Sequence, residues 1–301
     1  MNVKSGIFLP TSWRDFGNRT IPQAMQEVAG TADALGFDSI WACDHIVSSK
    51  RNVGAARCLE PMILMSTLAH QFPRLVIGTD VLVLPQRNAV LVAKQAATLS
   101  VLTGGRFILG IGAGWNEDEF RMLGADFETR GRHTDEAISL MKSLWKQTPV
   151  SFTGWYYKLE EAYFYPDPEG DGPPVWVGGS SQPAVSRAAR VGDGWMPFWG
   201  KWQDFQNDLE KFRGQARWLK DQPRGQDVRL IVNVAVRIAT GSDKHATDEP
   251  QSVEKIVETV RRYQEAGVET IIWNIQSDDL DDYLNQMRLL AEKVVPLIAS
   301  N

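Results

Sequence analysis

Four groups of residues have the types and spacing to do chemistry. Gly178-Gly179-Ser180-Ser181 stands between the apolar run PPVWV and a helix pattern opened by Pro183. Glycines free backbone amides, serines donate hydroxyls and a helix N-terminus carries partial positive charge, so this stretch suits a phosphate. A plain strand-to-helix turn with a serine N-cap explains the same residues equally well. The second group is GGRFILGIGAGWNEDEF, in which Gly110, Gly112 and Gly114 alternate ahead of an acidic tail. A dinucleotide-binding GxGxxG fingerprint needs a glycine where Trp115 stands, so that reading fails. Glycines here instead leave room in a crowded strand and let a ligand approach its end. Glu117 and Glu119 read as carboxylates favoured at a helix N-terminus.

Asp44 and His45, which close the run DSIWACDH, form the third group. An imidazole takes or gives a proton near neutral pH. The fourth is tryptophan, of which the chain has 11, and six of them (Trp13, Trp41, Trp115, Trp195, Trp199 and Trp273) fall at or just after apolar runs. Gathered at one mouth they would make a flat apolar pocket for a planar aromatic ligand. Each can equally cap a core. His70, His133 and His245 fall on helices or a loop, and no HExxH or other ligand spacing occurs, so metal catalysis is not expected. Cys43 and Cys58 have no CxxC spacing, and Cys43 reads as a small hydrophobe on a buried strand.

The elements that must position these residues are short apolar runs alternating with helical periodicity. The candidate strands are VKSGIFL, DSIWACDH, LVIGTDVLVL, RFILGIGAG, PPVWVGG, DGWMPFW, VRLIVNVAVRI and ETIIWNI. Between them, residues such as Ile21, Met25, Val28, Ala32 and Leu35 recur at steps of four and three, giving each helix one apolar stripe. The strands are apolar throughout rather than alternating, as parallel strands covered on both faces should be. Eight such units in 301 residues predict a (β/α)8 TIM barrel, one domain over residues 1–301. Two stretches break the repeat: an aromatic, proline-rich, β-prone insertion near 149–173 and a polar loop near 241–251. In a barrel, active sites form at the C-terminal ends of the strands, where all four groups fall.

A formal net charge of −5 without a basic stripe argues against a nucleic-acid partner. No signal peptide or membrane span is written, so a cytoplasmic protein is expected.

With these residues in hand, the sequence resembles the bacterial luciferase-like monooxygenase superfamily, and within it the branch dependent on the deazaflavin coenzyme F420. The resemblance runs nearly end to end and rests on GFDSIWACDHIV, VIGTDVLVLPQRNAVLVAKQAATLSVLTGGRFILGIGAGWNEDEFRMLG, RGRHTDEAISLMKSLWKQTPVSFTGWYY and PPVWVGGSSQPAVSRAARVGDGWMP. It implies a TIM barrel with the cofactor ring at the C-terminal mouth and a non-prolyl cis peptide, by position Asp80-Val81, bulging toward the ring. Thr79, Asp80, Val81 and Val83 thereby become cofactor residues. Aspartate is larger and more acidic than the small residue often found at this bulge. Asp44 matches the family's cofactor-contacting aspartate and His45 the histidine beside the ring, either as acid or base or as a group that only orients the ring. Gly178, Gly179, Ser180 and Ser181 match the cofactor-phosphate turn. Asp118 falls where a relative that oxidises a sugar phosphate has a cofactor-contacting amide. That relative has an acidic proton donor where this chain has Trp115, so its sugar-phosphate chemistry does not carry over. Trp13, Trp41, Trp115, Trp195 and Trp273 are expected to shape the substrate pocket, and Arg130 and Arg132 to form structural ion pairs. The implied activity is hydride transfer between F420 and a small organic substrate, in a homodimer. The alternatives are an FMNH2- and oxygen-dependent monooxygenase and a barrel that binds flavin without turnover.

Overall fold

The computed structural model describes residues 3–12, 16–50, 57–168, 170–199, 201–240, 250–277 and 279–299. In chain order the elements are β1 (Lys4–Phe8), α1 (Ile21–Ala34), β2 (Ser39–Ala42), α2 (Pro61–Gln71), β3 (Val76–Thr79), β4 (Leu82–Val83), α3 (Ala89–Thr103), β5 (Phe107–Gly112), α4 (Glu117–Leu123), α5 (Arg130–Lys146), β6 (Val150–Thr153) and β7 (Lys158–Ala162). They continue with β8 (Val175–Gly178), α6 (Gln182–Val191), β9 (Gly194–Met196), β10 (Phe198–Trp199), α7 (Trp202–Asn207), α8 (Leu209–Lys220), β11 (Arg229–Val236), α9 (Val253–Glu265), β12 (Thr270–Ile275), α10 (Leu280–Leu289) and α11 (Val295–Ala299).

Eight strands pair in parallel as a closed ring, β1-β2-β3-β5-β8-β9-β11-β12 and back to β1. The short β4 continues β3 beyond residues 80 and 81 and pairs with β5, so the third barrel strand is interrupted just where it reaches the mouth. Burial on both faces explains the unbroken apolar runs: every residue of β2, and all but the first of β11, is buried.

Inside the ring, Trp41 stacks on Trp176 with centroids 5.0 Å apart, packed among Met196, Ile231 and Ile272. Glycines admit these two indoles. A Cβ on Gly78 would lie 2.2 Å from the Trp41 ring, and one on Gly194 would lie 2.6 Å from Trp176. The outer face of the ring packs on the apolar stripes of the helices. Their ends are fixed by side-chain caps at Thr20, Asn88, Ser252 and Asp279, and by Gly104, left-handed at φ 59°.

The 149–173 segment forms an antiparallel hairpin, β6 with β7, between α5 and β8. Glu136 on α5 holds its turn by accepting the amides of Trp155, Tyr156 and Tyr157 at 2.7, 2.8 and 2.9 Å. Most of the expected 241–251 loop lies outside the described residues; Gln251 bridges to Ile238. Among the described residues, no helix is long and apolar enough to cross a membrane, and no cluster of three or more His, Cys, Asp or Glu side chains is placed to hold a metal.

Candidate functional site

A cavity of about 660 Å³ opens at the C-terminal ends of the strands. Its wall is built from Cys43, Asp44 and His45 after β2, Asp80, Val81 and Val83 at the β3–β4 break, and Gly112 to Trp115 after β5. Gly178 to Ser181 close the opposite side with Pro183, Ala184 and Arg187 of α6, Arg130 and Gly131 of α5, and Glu128 just before it; Phe8, Met196 and Phe198 complete it. A second concavity, about 580 Å³ around Arg19, Glu27 and Asp281, is a surface ion-pair network remote from these residues.

The β3–β4 break is the centre of the site. The Asp80-Val81 peptide is cis, at the position the resemblance implies. Its bulge explains the alternating glycines. A Cβ on Gly110 would sit 1.9 Å from the Thr79 carbonyl oxygen, and a Cβ on Gly112 or on Gly178 would each sit 2.6 Å from a Val81 methyl. The two neighbouring strands therefore give up side chains so that Val81 can stand between them and face the cavity. Because the Gly110 contact is with backbone, Gly110→Ala is expected to destabilise the fold by about 1–3 kcal/mol, read as a lower urea midpoint at unchanged m-value. Thr79 is fully buried and donates its hydroxyl to the Gly110 carbonyl at 2.6 Å, which braces the bulge from below.

Asp44 ties the bulge to β2. Its carboxylate receives both guanidinium arms of Arg87, at 2.6 and 2.8 Å, and the Val83 amide at 2.9 Å. Burial pushes the carboxyl up from its ordinary value, and the Arg87 charge opposes that shift. Its oxygens are thus engaged within the protein, and Asp44 positions β4 as well as lining the cavity. Asp80 is buried and accepts the Asn233 side-chain amide across the barrel. Burial raises its carboxyl to about 7, against the lowering effect of Asn233, whose own carbonyl oxygen has no hydrogen-bond partner among the described residues.

His45 is held by a residue that the sequence reading placed only at a helix N-terminus. Glu119, 1% exposed, turns inward from the first turn of α4. One of its oxygens is 3.1 Å from His45 Nδ1; the other accepts the Ile46 and Val47 amides at 2.7 and 3.3 Å. A carboxylate at Nδ1 keeps the proton there, so Nε2 is the acceptor nitrogen. Nε2 has no hydrogen-bond partner among the described residues, and the ring lines the cavity, edge-on to Trp115 at 6.0 Å. The buried flank of α4, Glu119 beside Phe120, was the available signal for this role.

On the opposite wall, Ser181 occupies the N-cap position of α6, yet its hydroxyl makes no capping bond. The hydroxyl is therefore not committed to a cap, and Ser181 lines the cavity. Gly179 is left-handed at φ 111°, and its carbonyl accepts Trp195 Nε1 at 2.9 Å, so the turn is braced from behind. Beside the partial positive charge of the helix N-terminus, Arg130 and Arg187 line the cavity together with the carboxylate of Glu128. Arg187 is buried against Asp135 at 2.7 Å. Arg130 corrects its expected ion pairing: its partners are the Phe127 carbonyl at 2.6 Å and the Phe127 ring, 3.6 Å to the centroid. Arg132 is exposed, without a carboxylate partner among the described residues.

The tryptophans depart most from expectation. Trp41, Trp195 and Trp273 are fully buried and none lines the cavity. Trp41 fills the barrel interior, Trp195 stacks on Phe212 of α8 at 5.2 Å, and Trp273 donates to the Ser5 hydroxyl at 2.7 Å. Successive strand residues point alternately into the barrel and out to the helices, so position at a strand end does not place a side chain at the mouth. Trp199 joins an aromatic cluster with Phe205, Phe212 and Tyr263. Trp115 does line the cavity and is 67% exposed. Trp13 lies outside the described residues. Asp118 pairs with Arg121 at 2.6 Å on the outer side of α4 and does not line the cavity.

Residues 3–251 match the family model described as luciferase-like monooxygenase. An F420-dependent glucose-6-phosphate dehydrogenase of Amycolatopsis mediterranei is 34% identical over 62% of this chain, which spans only 56% of that protein. An enzyme of the same name from Mycolicibacterium fortuitum is 30% identical over 79% of this chain and 77% of its own length. Among solved structures, an F420-dependent secondary alcohol dehydrogenase in complex with an F420–acetone adduct superposes with a TM-score of 0.77, covering 99% of each chain at 22% identity. The site is built on the shared fold, and the match covers most of the barrel: this chain belongs to the luciferase-like monooxygenase family.

Proposed function

We propose that the chain is an F420-dependent oxidoreductase that moves hydride between the deazaflavin and a small organic alcohol or carbonyl. The observation that carries this reading is the pairing, on opposite walls of one cavity, of an imidazole with a free Nε2 and a turn with an uncommitted serine hydroxyl. The F420 dependence of the dehydrogenases similar to this chain supports the choice of cofactor.

The residues fit such a group. Glycines at 112 and 178 leave room for the Val81 bulge, which supports a flat ring from one side. The α6 N-terminus, Ser180, Ser181 and the nearby arginines suit the cofactor's phosphate. When bound, the deazaflavin supplies the hydride acceptor or donor carbon, and the protein need only position and shield it. His45 takes the hydroxyl proton of an alcohol at Nε2 as its hydride leaves, and returns it in the reverse direction. Glu119 holds the ring in that tautomer and stabilises the charge it gains. Trp115, Phe8 and Phe198 give the substrate side an apolar edge. That edge favours a small or flat substrate over a sugar phosphate.

Two tests follow. Ser180→Ala combined with Ser181→Ala is expected to weaken F420 binding about 10²- to 10⁴-fold, because hydrogen bonds to a charged group contribute about 1.5–3 kcal/mol each. Oxidised F420 mixed anaerobically with a panel of secondary alcohols should lose its deazaflavin absorbance, with no turnover of glucose 6-phosphate. Oxygen uptake with supplied FMNH2, and no reduction of F420 by any alcohol, would reject the reading in favour of a monooxygenase.

A further inference from the structure

The proposed reaction leaves unused a pair of thiols at the edge of the cavity. Cys43 follows β2 directly and lines the cavity beside Asp44; Cys58 lies 15 positions further on, shortly before α2. The chain has only these two cysteines, separated in sequence, and the fold places their sulfurs 2.9 Å apart. Both residues are half-buried, so a small reagent can reach the pair. Cys43 therefore stands half-buried just past the end of β2, at the cavity edge, rather than as a small hydrophobe on a buried strand.

At this separation the two sulfurs are in direct contact, and either thiol can be the donor. The hydrogen bond with Cys43 brings the Cys58 thiol down to about 7 against the opposing effect of burial, whereas the same bond and burial drive Cys43 well above its ordinary value. The Thr11 hydroxyl, 3.3 Å from the Cys43 sulfur, completes the surroundings. A disulfide has an S–S distance of about 2.05 Å, so a movement of about 1 Å closes it.

We propose that Cys43 and Cys58 form a redox-active dithiol, a site of reversible disulfide formation at the rim of the cavity, with a hydroperoxide as the oxidant. The Cys58 thiolate attacks the distal peroxide oxygen. An S–O bond forms, the O–O bond breaks, and the departing alkoxide takes a proton to leave as an alcohol. The Cys43 sulfur then attacks the Cys58 sulfur as its own proton leaves with the displaced hydroxide, giving water. Two thiols lose two electrons and two protons in all, and the peroxide gains both; a dithiol reductant returns them. The nucleophile is Cys58, since it is the thiol of the contacting pair that is lowered while Cys43 is raised.

The disulfide would tie the segment entering α2 to the end of β2 that carries Asp44 and His45. Glu60 on that segment already reaches Arg87 at 3.5 Å, and Arg87 holds Asp44. Thiol state is thereby connected to the positioning of the β4 edge. The inference does not rest on the choice of cofactor.

The test treats the full chain with hydrogen peroxide, titrates thiols and measures intact mass and disulfide-linked peptides. Both thiols should vanish together, with the monomeric chain two hydrogens lighter, the two cysteine peptides joined, and full recovery with dithiothreitol. Cys43→Ser should yield no intrachain link and should instead leave a sulfenic acid on Cys58 that dimedone captures. Retention of both thiols in the wild-type chain, gain of oxygen without a cross-link, or a link between two chains would each overturn the proposal.

Discussion

Replacing His45 by alanine is expected to lower turnover with F420 and a secondary alcohol by about 10²- to 10⁴-fold while leaving cofactor affinity within a few-fold. His45 is one of many residues that line the cavity, whereas its Nε2 is the group placed to take the substrate proton. Glu119→Gln separates this role from mere packing. The amide oxygen can still accept the Ile46 and Val47 amides now bound at 2.7 and 3.3 Å, so the fold should persist. Its NH2 then faces Nδ1 and can only donate, which moves the ring proton to Nε2 and removes the acceptor from the cavity. The turnover of Glu119→Gln should therefore fall by at least about tenfold, and the pH dependence of kcat should shift although residue 119 touches no substrate. A purely structural Glu119 would instead lower the thermal midpoint and leave that profile unchanged.

The second large effect concerns stability. Asp80→Asn should make the chain more stable at pH 8, by about 2–4 kcal/mol, and by much less at pH 4. In the folded chain Asp80 keeps its proton up to about 7, whereas its ordinary value is 3.8. Between those two values the folded state holds the extra proton, so the wild type loses stability as pH rises through that window and levels off above it. Asparagine carries no charge to bury. Its carbonyl can accept the Asn233 amide as Asp80 does, and its NH2 can satisfy the Asn233 oxygen that now lacks a partner. Urea midpoints of both proteins from pH 4 to pH 8 decide the matter: curves that diverge with pH support the assignment, and parallel curves contradict it.

The barrel was legible in the sequence because its strands are buried on both faces and so read as unbroken apolar runs, and because each is followed by a helix with one apolar stripe. The Gly178–Ser181 turn and the Asp44-His45 pair were legible because both lie within a few residues of a strand end, where local chemistry and position coincide. The rest was not local. Whether a strand-end tryptophan faces the barrel, the helices or the mouth depends on strand parity and tilt, so Trp41, Trp195 and Trp273 were misplaced while Trp115 was not. Arg87 meets Asp44 across 43 positions and Glu119 meets His45 across 74, and only the closed ring brings them together. The alternating glycines illustrate the same limit. Their spacing showed that space was needed; only the fold showed that Val81 and the Thr79 carbonyl occupy it.

The most direct test of the account is equilibrium titration of F420 into the purified chain, followed by deazaflavin fluorescence, with FMN as competitor and the Ser180→Ala, Ser181→Ala double variant alongside. Saturable one-to-one quenching that the double variant weakens and FMN fails to reverse is the predicted result. Absence of quenching at micromolar protein, or displacement of F420 by FMN, would contradict it.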